Sequence, residues 1–165
     1  MKQALCGAIL VFLAAGCGSS SASSDNNQTG MGFTAAALCA LATPAEVGAA
    51  IGGRSVPAGV PSGVNAPSCT WTASDAGGAT IAATAPSTVG QVPFGLQGKA
   101  GAHATAIPNL GDAAFFAGAG DFPQTELDVK KGGRALTITA SWPGVTEPQQ
   151  EAAELAIAKA AVGRM

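Results

Sequence analysis

Residues 126–139, Glu-Leu-Asp-Val-Lys-Lys-Gly-Gly-Arg-Ala-Leu-Thr-Ile-Thr, decide the fold of this chain. Apolar and polar residues alternate on both sides of Lys131-Gly132-Gly133, which predicts two strands joined by a tight turn. One face of this hairpin carries the leucine, valine and isoleucine side chains. That face needs a covering layer, so we expect further elements to pack on it.

Strand patterns extend upstream of the hairpin, at 68–73, 79–85, 104–107 and 112–117. In the first of these, Cys69 and Trp71 share one face and threonines occupy the other, as in a half-buried strand. The proline- and glycine-rich segment 54–67 reads as a loop. Segment 86–101 fits either a surface loop or a short helix.

Two helices flank the strands. Thr43-Pro44-Ala45-Glu46 has the features of a capping box with proline in the first turn, and Gly52-Gly53 ends that helix. The last helix begins at Thr146 and runs to about Val162. Its predicted packing stripe consists of Leu155, Ala158 and Val162. Strands between two helices predict an α+β domain, with an antiparallel sheet and both helices packed on one face.

The N-terminus predicts where the protein resides. Met1-Lys2 and an apolar run precede Leu13-Ala-Ala-Gly-Cys17, the pattern of a bacterial lipoprotein signal peptide. We therefore expect residues 1–16 to be removed and Cys17 to carry the lipid; the alternative is an ordinary secreted protein with a chance cysteine. Residues 17–32 then form a Ser-rich tether and 33–165 a single domain. The expected location is the cell membrane or outer membrane, outside the cytoplasm.

Two of the four cysteines remain in the predicted domain. Cys39 and Cys69 form an even pair in an oxidising compartment, which predicts a disulfide. Two thiols and one distant histidine, His103, do not make a zinc site. We expect no metal and no cofactor.

Charge excludes some partners. The chain has 8 Lys+Arg against 10 Asp+Glu, a net charge of −2 at pH 7. A balance this weak and mixed does not predict binding to nucleic acid or to anionic lipid headgroups. No later stretch reaches the ~20 apolar residues of a spanning helix, so membrane attachment is expected through the lipid.

Residues suited to catalysis are few. His103 is the one histidine, no Gly-x-Ser-x-Gly occurs, and Asp112 and Asp121 follow glycines in turn-like sequence. A pair of aspartates could bind calcium or act on glycosides, but turn formation is the simpler interpretation. The sequence predicts a protein that is not an enzyme.

Two sets of residues are candidates for binding. Lys130, Lys131 and Arg134 at the hairpin tip could dock an acidic partner or a phosphate group. The aromatic residues Trp71, Phe115, Phe116 and Trp142 could line a ligand groove between sheet and helices.

The chain also resembles a group of small bacterial lipoproteins, many of them actinobacterial, that share an uncharacterised domain. The resemblance covers about 33–165 and rests on four motifs: Leu38-Cys-Ala-Leu41 before Thr-Pro-Ala-Glu-Val47, Cys69-Thr-Trp71, Asn109-Leu-Gly-Asp-Ala-Ala-Phe-Phe116 and Leu127 to Ile138. It implies the Cys39–Cys69 bridge and an α+β fold, and it carries no activity. The expected function is that of a lipid-anchored accessory domain docking another envelope protein. The alternative is a module that binds or senses a small ligand.

Overall fold

The computed structural model describes residues 32–64, 66–84, 102–119 and 122–165. They form a seven-stranded antiparallel sheet of order β1-β2-β3-β7-β6-β5-β4, together with three helices. The strands are β1 Val60–Ser62, β2 Ser68–Thr72, β3 Gly78–Thr84, β4 Ala102–Ala106, β5 Ala113–Ala119, β6 Phe122–Lys131 and β7 Arg134–Ser141. The helices are α1 Ala35–Cys39, α2 Pro44–Ala50 and α3 Glu147–Arg164. The predicted α+β class is confirmed.

The β6–β7 hairpin forms as the sequence predicts. Its register runs from Lys131 opposite Arg134 to Leu127 opposite Ile138. Gly132 and Gly133 both have positive φ, at 57° and 80°, as a two-residue turn that follows the strand twist requires.

A row of apolar side chains crosses the middle of the sheet. Cys69 of β2 lies opposite Ile81 of β3, which lies opposite Ile138 of β7 and then Leu127 of β6. All four are fully buried. Helix α1 contacts β2, and α3 contacts β6 and β7, so residues from the helices and the sheet share one core.

Helix α2 begins with the predicted capping box. The Thr43 N–H donates to Glu46 Oε2 (2.8 Å), and the Glu46 N–H donates to Thr43 Oγ1 (3.2 Å). The Arg164 guanidinium also donates to Glu46 Oε1 (2.7 Å). Arg164 and then Thr43 hold the pKa of the Glu46 carboxyl at about 2, well below its usual 4.5.

The face through which helix α3 packs overlaps only in part with the predicted stripe. Its buried residues are Ala153, Glu154, Ile157, Ala158 and Ala161. Leu155 and Val162 of the predicted stripe are only half-buried, whereas Ala158 is in the core. Alanines permit close approach to the sheet, and the buried carboxylate of Glu154 finds a backbone amide there.

The N-terminal part contains two elements that the sequence did not predict. Segment 54–67 is not all loop, because β1 pairs with β2. Pro61 fits there since an edge strand can lose one N–H without breaking a ladder bond. Helix α1 is a single turn capped by Thr34, whose Oγ1 accepts from the Ala37 N–H (3.2 Å). The ambiguous segment 86–101 lies outside the described residues.

Candidate functional site

The disulfide joins the first helix to the sheet. Cys39 at the end of α1 is bonded to Cys69 of β2, with Cα atoms 5.1 Å apart. This confirms the predicted bridge. Trp71 lies two residues further on the same face, and its side chain is fully buried. Its Nε1 has no hydrogen-bond partner among the described residues.

Gly59 packs directly over the Cys69 and Trp71 side chains. A Cβ added there would collide with Cys69 Sγ and would lie 2.7 Å from Trp71 Cε2 and 2.8 Å from Trp71 Nε1. Real Cβ atoms do not come this close, so the loop before β1 packs on the disulfide and the indole through a bare backbone. The sequence offered no signal for this role, since Gly59 stands in a segment rich in glycine and proline.

Arg54 contacts residues in three connecting segments at one end of the sheet. Its Nη1 donates to the Ile51 carbonyl (2.6 Å) at the end of α2, and its Nε donates to Asp75 Oδ2 (2.8 Å) in the β2–β3 turn. The guanidinium also stands 5.5 Å from the ring centroid of Trp142. The Arg54 hydrogen bond and then the Gly77 N–H lower the pKa of Asp75. Trp142 therefore forms part of a structural contact.

The four aromatic candidates do not converge on one groove. Phe115 and Phe116 are neighbours in β5, so they point to opposite faces of the sheet. Phe116, opposite Leu127, packs against the core, whereas Phe115 lies opposite Asp128 on the other face. Trp71 lies within the core, and Trp142 lies beside Arg54.

The cations of the hairpin tip contact the end of α3. Lys131 Nζ donates to the Val162 carbonyl (2.7 Å), and the Arg134 guanidinium donates to the Met165 carbonyl. The last carbonyls of a helix lack intrahelical partners and carry the negative end of its dipole. Two of the three predicted docking residues thus stabilise a helix terminus. Lys130 points to the opposite side of the hairpin and is half-buried.

A grid of small hydroxyl side chains occupies the sheet face opposite the disulfide. Thr70, Thr80 and Thr139 lie side by side on β2, β3 and β7, and the Thr70 and Thr80 hydroxyl oxygens are 3.1 Å apart. Thr72 and Ser141 flank Gly78 in the next row, nearer the strand ends. Side chains alternate between the two faces of each strand, so the pattern that buries Cys69 and Trp71 on the core face places these hydroxyl groups on the other face.

The two rows line an open groove of about 450 Å³. Besides these residues, its lining includes Trp71, Ala76, Gly77, Ala79, Ala140 and Gln150. None of the described lining residues bears a formal charge, so the polar character of the groove comes from hydroxyl, amide and backbone groups.

Glu154 of α3 supports the floor of this groove. The pairing of β6 with β7 ends at Leu127–Ile138. Beyond that point the Ala140 N–H donates to Glu154 Oε1 (3.0 Å), and Gln150 Nε2 donates to the same oxygen (3.3 Å). The buried Glu154 carboxylate therefore accepts the hydrogen bond that the carbonyl of a neighbouring strand would otherwise accept. The sequence placed this glutamate on the helix without indicating its role.

A second buried acid lies on the same face as the hydroxyl grid. Asp128 is fully buried, and the Thr137 hydroxyl donates to its Oδ1 (2.6 Å). Asp112 lies in the turn before β5 and contacts the β6–β7 hairpin turn, where its Oδ2 accepts from the Gly132 N–H (2.7 Å). Asp121, the His103 side chain and Cys17 lie outside the described residues. Within the described ranges, no group of three or more His, Cys, Asp or Glu is placed to hold a metal ion.

No helix in the described part of the chain is both long and apolar enough to cross a membrane. No protein family, curated protein or solved structure matches the chain.

Proposed function

We propose that this chain is a bacterial envelope protein, lipid-anchored at Cys17 and located outside the cytoplasm on the cell membrane or outer membrane. Its domain acts without catalysis, by docking another envelope protein. The observation that carries the proposal is the uncharged, hydroxyl-lined groove on β2, β3 and β7.

The arrangement of layers supports this choice of surface. In the proposed arrangement, helices from both ends of the chain pack on one face of the sheet. The opposite face then offers threonine and serine hydroxyls at regular spacing, together with the peptide groups of the β2–β3 turn. Such groups donate and accept hydrogen bonds with little side-chain entropy to lose, as a docking surface requires. The hairpin tip is less suited to direct hydrogen bonding with a protein partner, because Lys131 and Arg134 already donate to carbonyls of α3, although both side chains keep their charge.

A small polar ligand is the second candidate. The groove volume of about 450 Å³ falls in the ~300–1,000 Å³ range of ligand sites. Its open, hydroxyl-rich lining differs from the mostly apolar walls of such sites, which favours a protein partner.

Site-specific photocrosslinking in the native envelope tests the docking surface. A photoreactive residue at Thr72, exposed at the groove, should give a discrete crosslinked product. The same residue at Ala156, exposed on α3, serves as the control. Products from Ala156 alone, or none from either position in folded protein, would contradict docking through the groove. A purified domain that binds a small polar ligand at Thr72, with no crosslinked protein, would favour the second candidate.

The anchor is tested separately. A Cys17→Ala variant should lose the diacylglycerol mass and leave the detergent phase. Equal detergent partitioning of both proteins, with unlipidated mass, would refute lipidation.

A further inference from the structure

The fold separates charges that look mixed in the sequence. The cationic residues of the described ranges are Arg54, Lys130, Lys131, Arg134, Lys159 and Arg164. All except Arg54 lie in the β6–β7 hairpin tip or the last two turns of α3, which are joined by the bonds from Lys131 to Val162 and from Arg134 to Met165. We call this group of five the basic end.

Three described acids, Glu46, Asp112 and the buried Asp128, lie at or beside the basic end, against its five cations. Glu46 pairs with Arg164, and Asp112 accepts from the Gly132 N–H. At the other end of the sheet, Asp75 lies in the β2–β3 turn and Glu147 in the first turn of α3. Among the described residues, cations therefore outnumber acids at one end of the sheet, and acids outnumber cations at the other.

The chain enters the domain at the basic end. A Cβ at Gly32 would lie 2.9 Å from Arg134 Cγ, and the Phe33 ring lies under the Arg134 guanidinium, 4.9 Å from it. Residues 18–31 separate this point from Cys17. The sequence predicts a flexible tether over these residues, and a tether of that length would span roughly 20 Å end to end. A lipid on Cys17 would hold the basic end that close to the bilayer.

An exposed apolar residue lies at the same end of the sheet. Val64 is 73% exposed in the turn between β1 and β2. Pro67 closes this turn by accepting from the Ala83 N–H (2.9 Å), and Ala83 lies opposite Leu136, near the hairpin tip. An exposed valine at the same end of the sheet as the cations suits the boundary between lipid headgroups and acyl chains.

We propose that the basic end docks on the anionic headgroups of the membrane that carries the anchor, and this orientation rests on the proposed lipidation of Cys17. Charge complementarity selects the surface, since a lysine or arginine near an anionic bilayer strengthens binding about fivefold. The diacylglycerol expected on Cys17 already supplies two acyl chains for attachment, so the basic end would orient the domain and not anchor it. Docked in this way, the domain turns Ser141 and the β2–β3 turn, and with them the groove, away from the membrane toward other envelope proteins.

Vesicle binding by the unlipidated protein tests the surface independently of the anchor. The mature chain with Cys17→Ser should sediment with vesicles of one-third phosphatidylglycerol and two-thirds phosphatidylcholine. It should not sediment with pure phosphatidylcholine, and high salt should release it. Equal binding to both vesicles, or binding to neither, would overturn the proposal while leaving lipidation untouched.

A matched pair of variants separates location from net charge. Lys130→Gln/Lys159→Gln removes two charges from the basic end and should weaken vesicle binding roughly tenfold or more. Ser74→Asp/Gln149→Glu lowers the net charge equally at the other end, and a glutamate at 149 retains the acceptor for the Thr146 N–H. The control should bind within about twofold of the parent. An equal loss in both variants would show that net charge alone governs binding.

The lipidated chain reports the orientation itself. A fluorophore on Val64→Cys should be quenched by a lipid-borne quencher, and one on Ser74→Cys should not. Equal quenching at the two positions would refute the orientation.

Discussion

Replacing Gly59 with alanine should destabilise the domain although only one methyl group is added. The new Cβ would collide with Cys69 Sγ and lie 2.7 Å from Trp71 Cε2. Neither neighbour can withdraw, because Cys69 is bonded to Cys39 and both Cys69 and Trp71 are fully buried. Overpacking of this kind costs about 1–3 kcal/mol. A cost near 2 kcal/mol would lower the melting temperature by roughly 6–8 °C in a domain of this size.

Gly163→Ala is the matched control. Gly163 lies in the last turn of α3, and a Cβ there would meet nothing within 4 Å. This substitution should raise stability by about 0.5–1 kcal/mol, because alanine loses less backbone entropy in a helix. Both melting temperatures can be measured by circular dichroism under oxidising conditions.

The sulfur contact can be isolated by a double-mutant cycle. In a Cys39→Ala/Cys69→Ala background the Gly59→Ala cost should shrink but persist, since the indole remains in place. A Gly59→Ala protein as stable as the parent would refute the proposed close packing. An undiminished cost without the sulfurs would assign it to the indole alone.

Three further outcomes are expected. Loss of cross-link entropy predicts that Cys39→Ala/Cys69→Ala lowers the free energy of unfolding by about 3.5 kcal/mol, which urea titration can measure. A loss below about 1 kcal/mol would contradict this prediction. Because the pKa of Glu46 is lowered, its stabilising effect is complete above pH 4.5 and is lost as the pH falls toward 2. Glu46→Gln should therefore flatten the plot of unfolding free energy against pH in that window. An unchanged plot would show that the contact with Arg164 is not formed in solution. Glu154→Ala should lower the free energy of unfolding by about 2–4 kcal/mol, because it leaves a buried β7 amide without its acceptor. Glu147→Ala, on the exposed first turn of α3, should lower it far less. Similar unfolding midpoints for the two variants would refute the buried role of Glu154.

Local patterns carried most of what the sequence predicted correctly. The β6–β7 hairpin has alternation and Gly132-Gly133 within one short window, and α2 has Thr43 and Glu46 three residues apart. The disulfide followed from a count of cysteines in a compartment that the N-terminal sequence predicts to be oxidising. Each of these depends on neighbouring residues or on composition, so each could be read without the fold.

The remaining features depend on contacts between distant segments. The stripe predicted for α3 followed residue hydrophobicity, whereas the buried face carries three alanines, Ile157 and Glu154. The Glu154 carboxylate accepts from the Ala140 N–H, a contact that depends on the position of β7. The hydroxyl groove became visible only once β3 was seen to pair with β7, which brought Thr80 beside Thr139. The basic end likewise required the fold of α3 back onto the hairpin tip.

The order of strands also bears on how the chain reaches its native state. Ladders β1–β2–β3 and β4–β5–β6–β7 each join neighbours along the chain, whereas the β3–β7 ladder joins residues 78–84 to 135–141. Closing so long a loop costs entropy before any pairing energy returns, and non-local pairing of this kind slows folding. We therefore expect the two halves of the sheet to form as local units and their docking along β3 and β7 to set the folding rate. Until they dock, the edges of both strands are open to pairing with other chains, which makes this the step most exposed to aggregation.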